Sequence, residues 1–209
     1  MHILLTDKLI CPRCGPGFGL ILIADRLESR LVIEGSLGCP NCRDRFPVEQ
    51  GFADLRPPPR SSEHDAPDVE PPDSPSAIEI AALLGLTDGS GSVALIGDVA
   101  GHARALAGLV PDVDFIGIAA GLRRWEEEEG VNRLTAGPYL PFNSGSLRGV
   151  ALFAEGGPSM AGELARVVNR VGRIAVWGAL QDWEKALRSE GLDVLASGET
   201  ALVVGRMAP

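Results

Sequence analysis

The sequence predicts an α/β protein in which a small β domain precedes a larger domain with a mostly parallel sheet and a terminal antiparallel hairpin. All four cysteines lie before residue 43, as two CxxC pairs. A proline- and acid-rich stretch then separates them from a region where strand-like apolar runs alternate with amphipathic helical ones. Such alternation is typical of a parallel sheet with helices on both faces. The predicted division is residues 1–56, 57–75 and 76–209.

The small domain is predicted to be a metal site formed by Cys11, Cys14, Cys39 and Cys42. Two cysteines three residues apart in a tight turn aim both sulfurs at one point, and two such pairs complete the tetrahedral thiolate set of structural zinc. So small a unit has too little core to be stable alone, and we expect zinc to contribute to its folding. Between the pairs, two short strands are expected.

Two disulfides, or one redox-active CxxC pair, are the alternative interpretations of the cysteines. Disulfides accompany export, and Met1–Asp7 lacks the basic and long apolar regions of a signal peptide. A redox pair needs a single CxxC on a thioredoxin-like strand and helix. We therefore expect a zinc protein in the cytoplasm, with no membrane span.

Residues 57–75 contain seven prolines and five acidic residues in 19 positions. So few apolar side chains predict an extended spacer that insulates the two domains from each other.

The larger domain is predicted to alternate strands and helices in the following order. Strands are expected at Val93–Gly97, Asp114–Ile118, Val150–Phe153, Arg173–Trp177, Asp193–Ala196 and Ala201–Val204, and helices at Ala100–Leu109, Leu122–Glu129, Ser159–Asn169 and Asp182–Ser189. The acidic run Glu126–Glu129 is expected to be a solvated helix face, and His102 a partly exposed capping residue.

Three segments of the small domain carry a resemblance to a known family. The segments are Leu9–Gly15, Gly38–Cys42 and Phe46–Leu55. Together they resemble the small zinc-ribbon family whose eukaryotic and archaeal members activate methyltransferases, and the match runs in order over residues 3–56. This resemblance implies a protein partner, with a methyltransferase as the candidate.

Three segments of the larger domain resemble class I S-adenosylmethionine (SAM) methyltransferases over residues 76–206. They are Val93–His102, Leu140–Leu147 and Glu163–Arg173. The resemblance implies a Rossmann-like sheet with the cofactor across the carboxyl ends of its central strands. It also implies a site, here vestigial, at Gly97, Asp98, Gly101 and Ala119.

The sequence departs from that family where its members contact SAM. Leu95 takes the place of an acid, Val99 that of the middle glycine, and Ala119 that of the acid that binds the ribose hydroxyls. Each lost carboxylate–hydroxyl bond is worth about 1.5–3 kcal/mol, so joint loss moves a micromolar ligand toward millimolar. We therefore predict a methyltransferase frame that does not bind SAM and has no catalytic residues.

The predicted function is a non-catalytic scaffold or regulatory protein that binds a protein partner. The alternative is a divergent SAM-dependent methyltransferase acting on RNA, protein or a small molecule. Net charge is −9, and residues 1–56 carry seven basic and seven acidic side chains. Without a basic excess, bulk electrostatic binding of nucleic acid is not expected.

Overall fold

The computed structural model describes residues 1–60, 66–87, 89–155 and 157–207. The strands are β1 (Ile10–Cys11), β2 (Gly15–Gly19), β3 (Ile21–Glu28), β4 (Leu31–Gly38), β5 (Arg45–Glu49), β6 (Phe52–Asp54), β7 (Gly91–Ile96), β8 (Val113–Ile118), β9 (Val131–Thr135), β10 (Leu147–Phe153), β11 (Val168–Trp177), β12 (Asp193–Ser197) and β13 (Ala201–Gly205). The α-helices are α1 (Ala77–Leu84), α2 (Ala103–Leu109), α3 (Ala161–Val167) and α4 (Gln181–Ser189), and 3₁₀ helices span Ile3–Lys8, Gly97–His102, Ala120–Arg124 and Pro158–Met160.

The larger domain is built on a parallel sheet, as the sequence predicted. Strands β9, β8, β7, β10 and β11 lie side by side and are parallel to their neighbours. Strand β13 is antiparallel to both β11 and β12 and lies between them. The predicted terminal hairpin is therefore confirmed, and its second strand inserts into the sheet.

The small domain extends the same sheet. Strand β6 pairs in parallel with β9, with Ala53 opposite Leu134, and β5, β4 and β3 follow as antiparallel neighbours. One eleven-stranded sheet thus runs from β12 to β3 across the described residues. The expected insulation of the two domains by residues 57–75 is wrong, because backbone hydrogen bonds join them directly. The division at 57–75 itself stays a prediction.

The N-terminal segment packs against the connection that leads along the chain from β9 to β10. The described residues of this connection form no helix. Pro138 and Pro141 interrupt this connection and prevent helical hydrogen bonding. Leu9 forms a β-bridge with Phe142, and both side chains are buried. Leu9 belongs to one apolar cluster with residues of the larger domain such as Val150. The small domain therefore completes the core of the larger one.

The predicted helix at Leu122–Glu129 is wrong. The chain leaves the Ala120–Arg124 3₁₀ helix, and Glu128 forms an isolated bridge with Val131. Buried Arg133 donates to the carbonyl of Trp125 and to the Glu127 carboxylate. In an α-helix, the Trp125 carbonyl would instead accept a hydrogen bond from the amide four residues later. Glu127 is thus a half-buried ion-pair partner, whereas Glu126, Glu128 and Glu129 are exposed as expected.

The helices of the described ranges are short. The longest, α4, has nine residues, and none combines the length and apolar character needed to cross a membrane.

Candidate metal centre and cofactor site

The four cysteines predicted to bind metal converge on one point. Their sulfur atoms all lie within 4.8 Å of one another. Cys11 Sγ is 3.7 Å from Cys42 Sγ, and Cys39 Sγ is 3.8 Å from Cys14 Sγ. A tetrahedron with metal–sulfur bonds of about 2.3 Å has edges of about 3.8 Å. The cluster therefore fits a tetrathiolate-bound ion.

Backbone amides stabilise the sulfurs of both CxxC turns. The amide of Cys14 donates to Cys11 Sγ over 3.4 Å, and the amides of Asn41 and Cys42 donate to Cys39. Burial acts to raise the pKa of the Cys39 thiol, but these amides and neighbouring thiols lower it to about 7. A lowered pKa favours the thiolate of Cys39, whereas burial raises the pKa of Cys11 and raises that of Cys42 to about 12.

The cluster lies against the core that both parts of the chain share. Cys11 and Cys39 are buried, Cys14 and Cys42 are half-buried, and all four pack against the core shared with the larger domain. Because four thiolates fill a tetrahedral shell, no coordination position is left for substrate.

The four residues predicted for the vestigial cofactor site lie at one edge of the sheet, called here the cofactor edge. Gly97, Asp98 and Gly101 lie in the 3₁₀ helix that follows β7, and Ala119 directly follows β8. Strands β7 and β8 are parallel neighbours, so their carboxyl ends meet. Parallel α/β sheets bind their ligands at this edge.

The substituted positions at this edge pack inward. Leu95 and Val99 are completely buried in a second apolar cluster, and Ala119 packs at its margin. Gly97 has a φ of +70°, which permits the sharp exit from β7, and Asp98 is exposed. The chain therefore turns sharply after β7, and the side chains of Leu95 and Val99 belong to the core.

Residues 66–75, called here the strap, cross the cofactor edge. A Cβ atom placed on Gly101 would lie 2.5 Å from Pro71 N, and one on Gly121 would overlap the Pro67 carbonyl. Val69 is 8% exposed and joins the second apolar cluster. The sequence predicts a spacer here and does not reveal this contact. The one sign of this contact in the sequence is Val69, a single branched apolar residue within a polar, proline-rich run.

His102 lies beneath the strap. It is 7% exposed and makes no capping hydrogen bond, so the expectation of a partly exposed cap is wrong. Burial lowers the pKa of His102, opposed by the nearby backbone of Pro72 and Pro75, and its Nε2 has no hydrogen-bond partner among the described residues. The lowered pKa favours the neutral form of the imidazole.

Two motifs that carried the methyltransferase resemblance contact each other. Arg166 donates to the carbonyls of Phe142 and Leu140 over 2.6 and 2.8 Å, and Glu163 accepts from the Leu140 amide over 2.9 Å. Glu163 and Arg166 also form an ion pair at 2.8 Å. These motifs fasten α3 to the segment between β9 and β10, a structural task that needs no cofactor.

No protein-family model and no curated protein matches the chain. Among solved structures, a chain of the complex between the Haloferax volcanii Trm112 methyltransferase activator and the putative methyltransferase is similar, with 16% identity and a TM-score of 0.50, over 60% of this chain and 71% of that one. A putative S-adenosyl-L-methionine-dependent methyltransferase from Methanococcus maripaludis is similar at 10% identity and a TM-score of 0.50, over 64% of this chain and 84% of that one. Over the part that these structures cover, the α/β fold is similar to theirs. At such low identity the likeness establishes the fold alone.

Proposed function

We propose that the chain is a non-catalytic zinc-ribbon and pseudo-methyltransferase protein that acts as a scaffold or regulatory partner. The observation that carries this proposal is the packing of the cofactor edge. Val99 is completely buried where the family has a glycine, and Ala119 stands where it has the ribose-binding acid.

An edge of this kind is a poor site for SAM. The ammonium and ribose hydroxyl groups of SAM would leave water without the carboxylates that normally accept their hydrogen bonds. Asp98 is the acidic residue of the vestigial set, and its side chain points into solvent. Leu95 is in the apolar core and offers no acceptor.

The cysteine cluster is proposed to hold one structural zinc ion. Its sulfur separations match the edges of a zinc tetrathiolate, and the protein supplies every ligand. Zinc would fix the two CxxC turns and, through them, the strands that extend the sheet. Its role is in folding, not in chemistry.

The ribbon is proposed to have its methyltransferase-like partner within the same chain. The solved complex named above joins an activator and a methyltransferase as separate proteins. Here the ribbon strand β6 pairs with β9, so this side of the ribbon is already paired within the same chain. The free edge strand β3 exposes Ile21, Ile23 and Leu27, and we place the contact with a second protein there.

We expect the zinc-loaded chain to show no saturable binding of SAM or its demethylated product below about 50 µM, or some −6 kcal/mol. Isothermal titration calorimetry measures this directly. A SAM-binding methyltransferase titrated under the same conditions serves as the control for ligand quality, and elemental analysis verifies the zinc content. Saturable binding tighter than that limit would contradict the proposal.

The rival function is a divergent SAM-dependent methyltransferase. The observation in its favour is the parallel sheet and terminal antiparallel hairpin of the larger domain, in a chain whose fold is similar to that of a solved methyltransferase. Under this alternative the same titration gives micromolar binding, and SAM raises the melting temperature of the chain.

A further inference from the structure

We propose that the cofactor edge is a peptide-binding site whose ligand is the strap, residues 66–75 of the same chain. The inference rests on the proposed function, since a strap bound here takes the place of a nucleoside cofactor. It assigns a ligand class to the site: an extended, proline-rich peptide supplied in cis.

Two glycines bring the strap into backbone contact with the edge. The atoms nearest to a Cβ built on Gly101 belong to Glu70 and Pro71, and those nearest to one on Gly121 belong to Pro67 and Val69. Neither glycine has a positive φ, so the backbone conformation does not itself require glycine. What requires glycine at both positions is the close approach of the strap.

Side chains anchor the strap on both sides of these contacts. Val69 and Pro75 are buried, and Val69 packs within the apolar cluster that contains Val99. Asp68 forms an ion pair with Arg124 at 2.8 Å, and the His102 imidazole faces the backbone of the strap.

The composition of the strap suits an apolar edge. Its four prolines have no amide hydrogen, so they can lie on an apolar surface without leaving donors unsatisfied. Proline also restricts the free segment and lowers the entropy cost of holding it extended. The changes at Leu95, Val99 and Ala119 that disfavour SAM therefore favour a peptide of this kind.

A double-mutant cycle tests the site. Gly101→Ala and Gly121→Ala are made in the full chain and in a variant whose residues 66–75 are replaced by ten Gly and Ser residues. In the full chain each change should lower the melting temperature by about 5 °C, since the strap must move away. In the replaced variant each should shift it by no more than about 1 °C. Gly108→Ala and Gly137→Ala are matched controls, because a Cβ there meets nothing within 4 Å.

Equal losses in both backgrounds would overturn the proposal, because the glycines would then be required by something other than the strap. If the replaced variant does not fold, Val69→Asp supplies the second background, and its loss and that of Gly121→Ala should be strongly non-additive. Simple additivity there also overturns it. SAM binding by the unaltered chain would instead contradict the proposed function, so the two failures are distinguishable.

Discussion

Removal of zinc is expected to unfold both halves of the chain together. Structural zinc contributes about 10–16 kcal/mol in zinc-finger peptides, whereas a whole domain is stable by only about 5–15 kcal/mol. The ribbon also covers one face of the larger domain, with Leu9 and Phe46 in the same apolar cluster as Leu164. Loss of the metal therefore removes part of the core of the larger domain. Cys39→Ser should have the same effect.

Tryptophan fluorescence measures this result without interference from the ribbon. All three tryptophans lie after residue 76, and Trp177 and Trp183 are buried. Chelator titration should expose them as zinc is released, and zinc but not magnesium should restore the signal. If the ribbon lost zinc while tryptophan emission and its melting transition stayed unchanged, the two halves would be independent and the shared sheet would be wrong.

Arg133→Met is expected to destabilise the chain by about 3–5 kcal/mol. Arg133 is 2% exposed and lies opposite Phe52 where β6 joins β9. Its guanidinium donates to the carbonyl of Gln50 over 2.7 Å and pairs with Glu127. Methionine fills the space but leaves the Gln50 and Trp125 carbonyls and the half-buried Glu127 carboxylate without this donor, and removing one partner of such a pair is costly. Urea unfolding measures the change.

Arg188→Met is the matched control. Arg188 is exposed and pairs with Glu184 at 3.0 Å within α4, so its replacement should change stability by no more than about 0.5 kcal/mol. Similar values for the two variants would mean that the contacts of Arg133 do not hold the junction between ribbon and sheet.

The alternation of strands and helices was predictable from the sequence because it depends on local pattern. The runs Asp114–Ile118 and Val150–Phe153 are apolar over a strand's length and lie in the sheet as expected. The CxxC spacing was equally informative, since geometry within four residues fixes where each sulfur points. The prediction of a helix at Leu122–Glu129 failed because Arg133, which lies outside that segment, donates hydrogen bonds to the Trp125 carbonyl and the Glu127 carboxylate.

The joining of the two domains was not predictable, because it depends on which strands pair with each other when they lie far apart in the sequence. Nothing in Phe52–Asp54 alone indicates that its other edge pairs with Val131–Thr135. The strap was missed for a related reason: its composition predicts an extended chain but not the surface on which that chain lies. Only the placement of Gly101 and Gly121 beneath it, which needs the fold, identifies that surface.

The cofactor edge is proposed to be closed to SAM by its own side chains and by the strap. A crystal structure of the zinc-loaded chain grown with about 5 mM S-adenosylhomocysteine, far above a micromolar dissociation constant, tests it most directly. We predict that the strap lies over Gly101 and Gly121, with Val69 buried and no nucleoside at the ends of β7 and β8. S-adenosylhomocysteine bound at those ends, with the strap displaced, would contradict the account.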